Sequence, residues 1–266
     1  MSQHTALETW EGRPVDDWRQ SWQLPQLQVL AVTGSTNDDG RVLAESGAPS
    51  GTTVIAEQQT QGRGRGGRSW VGTPGQSLHI STVLRPPETR FSCLSAVPVR
   101  VGLIAIHALN EHAGVRARLK WPNDIQLSDR KLGGILCESV LGDNPFLVIG
   151  VGVNIGQRIS DFPAELQTTA TSVYAHTGRT IERSRLAGGI TRGLLQQALR
   201  IAEPFDETEL AELNALDALR SHEVEIDGQR AGRAMGINAA GALLVQYDNQ
   251  IREIHGGTVR LASAFS

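Results

Sequence analysis

Apolar positions recur along this chain in two rhythms, and the switches between them divide it into elements. LQVLAV (27–32) reads as a first strand, and the polar turn TGSTNDDG follows it. A helix is expected from Asn37 to Ser46, stopped by Gly47 and Pro49. GTTVIAEQQ is rich in β-formers, and SLHISTVLR alternates like another strand. After Pro98, VRVGLIAIHALNEH is apolar nearly all round, which predicts a central helix. ARLKWPNDIQL reads as strand, turn, strand, and KLGGILCESV and FLVIGVGVNI as two more strands. Leu186 to Ala202 has helical spacing. Around Asp217 to Ser221 the texture changes. Beyond it, about five short strands are separated by DG, AAG, DNQ and HGG turns, the pattern of a small β-barrel. Ahead of all this, Trp18 and Trp22 would share the face of a short helix, with Trp10 close by. The predicted organisation is an N-terminal extension over 1–26, an α+β domain over 27–218 and a C-terminal module over 219–266.

Composition narrows the function. A chain of 266 residues with net charge −3 offers nucleic acid or an anionic membrane no general attraction. No apolar run is long enough to span a bilayer. The start lacks the basic and apolar stretches of a signal peptide. Cys93 and Cys137 form no CxxC pair and read as reduced thiols, which points to the cytoplasm. Of 25 basic residues 23 are arginine, and the two lysines, Lys120 and Lys131, both lie within LKWPNDIQLSDRKLGGIL. A chain that uses arginine for general charge keeps lysine where a compact ammonium is needed, unless the clustering is chance.

The most unusual stretch is GRGRGGRSW, Gly62 to Trp70. Gly62, Gly64 and Gly67 satisfy G-x-G-x-x-G, but a dinucleotide fold needs a helix to open at once. Gly72, Pro74 and Gly75 forbid one here. The stretch occurs once, between strands, which argues against a disordered RNA-binding segment. A third reading suits the residues better. Glycine lets backbone N–H groups approach a ligand, while Arg63, Arg65 and Arg68 supply charge for a phosphate. Such a loop would be a lid that orders around its ligand. Elsewhere, KWPNDI either presents Lys120 to an anion or is an ordinary Pro-Asn-Asp turn. GVGVN strips side chains from one strand face, for a flat ligand or for close packing. GSTND offers short hydrogen-bonding side chains, one of which should cap the following helix. The seven histidines show no metal-ligand spacing, so no metal ligands are predicted.

Together, GSTN, EQQTQGRGRGGRSW, KWPNDI, RKLGGIL and GVGVN, followed by a small barrel, resemble the biotin–protein ligases (holocarboxylase synthetases) over roughly residues 27–262. That resemblance implies an α+β fold with a mixed sheet, related to class II aminoacyl-tRNA synthetases, and an SH3-like C-terminal module. It implies that biotin and ATP, with Mg2+, form biotinyl-5'-AMP. The acyl group then passes to a lysine on the biotin carboxyl carrier domain of a carboxylase such as acetyl-CoA carboxylase. By the same resemblance Ser35, Thr36, Asn37 and Gln59 would hold the ureido end of biotin. Gly62, Arg63, Gly64 and Arg65 would close over its carboxylate and the α-phosphate, and Gly134 and Gly152 would floor the slot. Arg68, Trp70 and Asn154 would face the nucleotide, and Lys120 would bridge carboxylate and phosphate, with Arg65 beside it in the chemistry. Only 33 residues precede Gly34, so operator DNA binding is not expected. GQRISDFPAEL supplies no tryptophan to stack on adenine. A lipoate or octanoate ligase, or a biotin sensor without transferase activity, remains the alternative. Oligomeric state is open, and a homodimer is compatible with the sequence.

Overall fold

The computed structural model describes residues 5–87, 91 and 93–262. Two short paired strands, β1 (Thr9–Trp10) and β2 (Arg13–Pro14), lead into helix α1 (Val15–Ser21). Trp10, Trp18 and Trp22 pack there edge to face and tilted, with centroids 5.6–6.5 Å apart, and all three are buried. Then come β3 (Leu27–Thr33), α2 (Thr36–Glu45), β4 (Thr53–Gln59) and β5 (Ser77–Leu84). Helix α3 (Ala96–Ala113) precedes β6 (Arg118–Lys120), β7 (Asp124–Leu127), β8 (Arg130–Val140) and β9 (Phe146–Asn154). The helices α4 (Val173–Thr177), α5 (Arg183–Gln197) and α6 (Glu207–Leu216) follow. The chain ends in β10 (Glu223–Ile226), β11 (Gln229–Ile237), β12 (Leu243–Tyr247), β13 (Gln250–Ile254) and β14 (Val259–Leu261).

The main sheet has seven strands in the order β3-β4-β5-β9-β8-β7-β6. Only β3 and β4 run parallel, so the sheet is mixed. Helices α3 and α5 pack together and against it, while α2 packs on β4, β5 and β9. Ser81 of β5 donates to Thr36 and Asn37 of α2, and the cross-strand neighbours of Ser81 share that face. This double covering explains why β5 is buried at every position rather than alternating as its sequence suggested. Helix α3 opens at Ala96, so Pro98 lies in its first turn rather than ahead of it. Proline is tolerated there because those N–H groups have no helical partner.

The helix expected over 186–202 runs instead from Arg183 to Gln197. Beyond it the chain turns past Arg100 of α3, which is 1% exposed. That guanidinium donates to the carbonyls of Arg200, Ile201, Glu203 and Pro204, pairs with Glu209 and stacks 4.3 Å from the Phe205 ring. Carbonyls bent toward Arg100 cannot continue a helix. Helix α6 was not anticipated, although Asp206 and Glu209 form a reciprocal capping box at its start. Strands β10–β14 form a separate five-stranded antiparallel sheet in the order β13-β12-β11-β10-β14. It is fastened to the rest by Trp121 Nε1 donating to Gly241 O and by Ser95 donating to Ala240 O. Among the described residues no helix is long and apolar enough to cross a membrane.

Candidate functional site

Strand register places one line of residues across the α2 face of the main sheet. Lys120 faces Asp124, Asp124 faces Gly134, Gly134 faces Gly152, Gly152 faces His79 and His79 faces Ala56. Cross-strand partners share a face, so two glycines leave a flat floor between charged residues on one side and an imidazole on the other. A neighbouring line carries Leu136, Gly150 and Ser81. Above these lines lies a cavity of about 390 Å3.

The start of α2 closes one end. Ser35 sits at the N-cap without a side-chain cap, contrary to the expectation that a residue of GSTND would cap its own helix. Gln59 of β4 does so instead, its Oε1 accepting from the Thr36 N–H at 2.8 Å and from Thr36 Oγ1 at 3.1 Å. Asn37 donates to Glu138 and to the Leu136 carbonyl. A Cβ on Gly150 would overlap the Asn37 amide oxygen, so this position has room only for glycine. Ser35, Thr36 and Asn37 are all buried.

The Arg-Gly stretch folds as a narrow hairpin rather than an open coil. Trp70 N donates to Gly62 O and Gly64 N to Arg68 O. Gly66 and Gly67, at φ of 64° and 74°, make the turn at its tip in the left-handed region. Arg63 is held by Asp38 at 2.7 Å and by Glu138 at 3.2 Å. Arg65 reaches toward Asn123, and Arg68 donates to the Arg65 carbonyl. Trp70, expected toward the nucleotide, lies flat on the glycine floor. A Cβ on Gly152 would sit 2.7 Å from its Cε2, and one on Gly134 3.4 Å from its Cζ3. Gly62 does not line the cavity; its close neighbour is the Trp70 carbonyl, so its role is to let the hairpin strands approach.

Ser35, Thr36, Asn37, Gln59, Arg63, Gly64, Arg65, Arg68, Trp70, Lys120, Gly134, Gly152 and Asn154 thus share the wall of one cavity. Asn154 is partly committed, donating to Thr171 O. Several lining residues were not foreseen. Lys131 donates to Asp124 at 2.6 Å and lies 5.7 Å from the Trp70 ring centre. Its rarity in the composition was the available signal. Phe162 and Leu166 come from GQRISDFPAEL, the run that supplies no tryptophan, and Thr169 and Ala170 follow just after it. His79 carried no motif.

Electrostatically the cavity is cationic at its Lys120 side. Burial lowers the Lys120 pKa, with Lys131, Arg260 and Arg68 adding repulsion and Asp124 opposing it. Burial also lowers His79, assisted by Arg183 and opposed by the Ala56 carbonyl and Glu57. On the far face of β8, burial pushes the Cys137 thiol up to about 12, which leaves it unreactive. Among the described residues no group of three or more His, Cys, Asp or Glu side chains is placed to hold a metal ion.

Residues 29–154 match the Biotin/lipoate A/B protein ligase family, and residues 223–261 match the Biotin protein ligase C terminal domain. The bifunctional ligase/repressor BirA of Bacillus subtilis is 33% identical over 243 residues, covering 86% of this chain and 72% of that protein. The biotin–[acetyl-CoA-carboxylase] ligase of Mycobacterium tuberculosis is 36% identical over 173 residues, 64% of this chain and 62% of that one. Among solved structures, the biotin protein ligase from Aquifex aeolicus in complex with biotin and ATP superposes with a TM-score of 0.77 at 28% identity. The match covers 90% of this chain and 100% of that one.

Proposed function

The chain belongs to the biotin protein ligase family, and we propose that it activates biotin with ATP as biotinyl-5'-AMP in the cavity above the Gly134–Gly152 floor. It then passes the acyl group to a lysine on the carrier domain of a biotin-dependent carboxylase. The observation that carries the assignment of the site is the single cavity that unites the start of α2, the Arg-Gly hairpin, both lysines and the glycine floor. The match of 223–261 to a C-terminal domain specific to biotin ligases favours biotin over lipoate.

A carboxylate is a poor acyl donor, and the anions of biotin and of the α-phosphate repel each other. Joining them as a mixed anhydride requires that both be held and neutralised. In this reading Ser35, Thr36, Asn37 and Gln59 receive the ureido end, where neutral donors and acceptors suit a urea. Lys120, Lys131 and Arg65 meet the carboxylate and the α-phosphate, and Arg68 stands on the nucleotide side. No protein nucleophile is needed; positioning and charge neutralisation supply the rate. Gly62, Arg63 and Gly64 keep the hairpin closed while Trp70 excludes water from the hydrolysable anhydride. Phe162 and Asn154 are the groups available to the base and ribose. Mg2+ enters as the Mg–ATP complex. The lining carboxylates that would help hold it are Asp124 and Asp129, of which Asp124 is already engaged by Lys131. Use of ATP, together with the free thiols of Cys93 and Cys137, supports action in the reducing cytoplasm.

ATP–pyrophosphate exchange tests the first half-reaction directly. Exchange is expected to require biotin and to be absent with lipoate or octanoate. Exchange with lipoate alone would move the acyl specificity to the sister enzymes. Tight biotin binding with no exchange would mean a sensor.

A further inference from the structure

Two buried polar atoms on the cavity floor lack partners, and they are complementary. His79 is 2% exposed, and its Nδ1 lies 3.3 Å from the Ala56 carbonyl while its Nε2 is buried with no hydrogen bond. A carbonyl can only accept, so Nδ1 carries the proton and Nε2 presents a lone pair. Trp70 Nε1 is likewise buried without a partner, and an indole N–H can only donate. Their placement is directional. The Trp70 ring lies with Cζ3 over Gly134 of β8 and with Cε2, Cζ2 and Nε1 over Gly152 of β9. The N–H edge is therefore turned across the sheet toward β5, where the cross-strand partner of Gly152 is His79. One strand spacing, about 4.8 Å, separates β9 from β5. The chain two residues beyond Trp70 passes over the same imidazole, since a Cβ on Gly72 would collide with Nε2.

We propose that Trp70 and His79 form a latch, in which closure of the Arg-Gly hairpin over ligand brings the indole N–H onto His79 Nε2. This rests on the ligase reading of the cavity and adds His79 to it as a positioning residue that acts through Trp70. Each unpartnered atom penalises the arrangement seen without ligand, and one bond removes both penalties. The hairpin thereby settles when the slot beneath it fills. Closure requires a neutral imidazole, because a protonated ring presents a donor to a donor. The groups facing that ring are the Ala56 carbonyl and Glu57 from β4, Arg183 from α5, Gly72 from the hairpin and Ser77 from its own strand. Burial and Arg183 favour the neutral form over the opposing carbonyl and Glu57, so the latch is made at neutral pH.

A double-mutant cycle with biotin as the probe tests this. His79→Phe is expected to weaken biotin binding roughly tenfold. Trp70→Phe should cost about tenfold less in the His79→Phe background than in the unsubstituted protein. Losses that simply multiply overturn the latch. Should His79→Phe fail to fold, His79→Gln retains an acceptor and is expected to bind biotin nearly normally. In the unsubstituted protein biotin dissociation should accelerate as pH falls through the lowered pKa of His79, below its ordinary 6.5, and His79→Gln should remove that dependence. Dissociation that ignores pH in the unsubstituted protein overturns the proposal. Biotin-dependent pyrophosphate exchange, run alongside, separates the two claims. Exchange without coupling sinks the latch alone, whereas absence of both exchange and biotin binding sinks the ligase reading and the latch with it.

Discussion

Gly152→Ala tests how the Arg-Gly hairpin seats on the floor. A methyl group there would lie 2.7 Å from Trp70 Cε2, 2.8 Å from Cζ2 and 3.0 Å from Nε1. Comfortable carbon contacts are about 3.5–4.0 Å, so the indole must lift by roughly 1 Å. Overpacking of this kind typically costs about 1–3 kcal/mol. The term falls on a hairpin that can lift, not on the core beneath it. We therefore expect the penalty in affinity, where 1.4 kcal/mol is tenfold, giving biotin binding weakened by about 5–150-fold. The unfolding temperature should hold or rise slightly, because alanine restricts the unfolded chain more than glycine does. Gly134→Ala is the control. Its methyl would meet Trp70 Cζ3 at 3.4 Å and the flexible end of Lys131 at 3.3 Å, ordinary distances after a small adjustment. Biotin affinity there should change only a few-fold. Titration calorimetry and thermal melts on both variants decide the matter. Undiminished biotin binding by Gly152→Ala, or lost stability with intact affinity, would refute the seating of Trp70 on Gly152.

Other consequences can be checked in the same preparations. Lys120→Arg keeps the charge but replaces a point donor with a planar fork, and exchange should fall roughly 10²–10³-fold; near-normal turnover would remove Lys120 from the chemistry. Arg100→Met removes the buried donor shared by four carbonyls and its ion pair with Glu209, so chemical denaturation should show a loss of about 3–5 kcal/mol while biotin affinity is kept. Chelation of Mg2+ should stop exchange and leave biotin binding intact, which a calorimetric titration in EDTA would show. His79 has a folded pKa below its ordinary value of 6.5. Its contribution to stability is therefore complete above about pH 6.5 and is lost as pH falls from there toward its own lower value. His79→Phe should flatten that limb of the stability curve.

Strands were legible where local pattern and tertiary demand agreed, as in β3, β4, β8 and the five strands beyond Glu223. The errors lie where a distant residue intervened. Nothing in LLQQALRIAE announces that α5 ends at Gln197 or that the carbonyls just beyond it turn to Arg100, about a hundred positions earlier. Likewise Gln59, and no residue of GSTND, satisfies the first N–H of α2. The site residues gathered by resemblance, Gly62 excepted, line one cavity, yet Lys131 and His79, which also line it, were passed over. Lys131 was visible as one of only two lysines, but its part depends on Asp124 bringing it over the floor. His79 sits in an ordinary alternating strand, and only the register of β5 against β9 places it beside the glycines. Sequence spacing reports what lies on one element; it is silent about which line of a seven-stranded sheet a residue joins.

The distribution of charge in the cavity shows why so many cations are spent on one reaction. Lys120 is surrounded by Lys131, Arg68 and Arg260, with Asp124 the nearby acid that opposes them. Left alone, such a cluster is unfavourable, and burial makes it worse. In the proposed reading the missing negative charge arrives with the ligand. The two anions to be joined repel each other as they approach, and a wall already short of negative charge offsets that repulsion without reorganising during the reaction. The arginines of the hairpin obey a different rule. Arg63 is paired with Asp38 and Glu138, which tie the hairpin to α2 and β8, whereas Arg65 has Asn123 within reach and Arg68 a carbonyl. Residues that look equivalent in GRGRGGR are thus divided by their partners into one that fastens and two whose charge stays available to the ligand. Arg260 of β14 adds a smaller, exposed positive charge on the same side of Lys120.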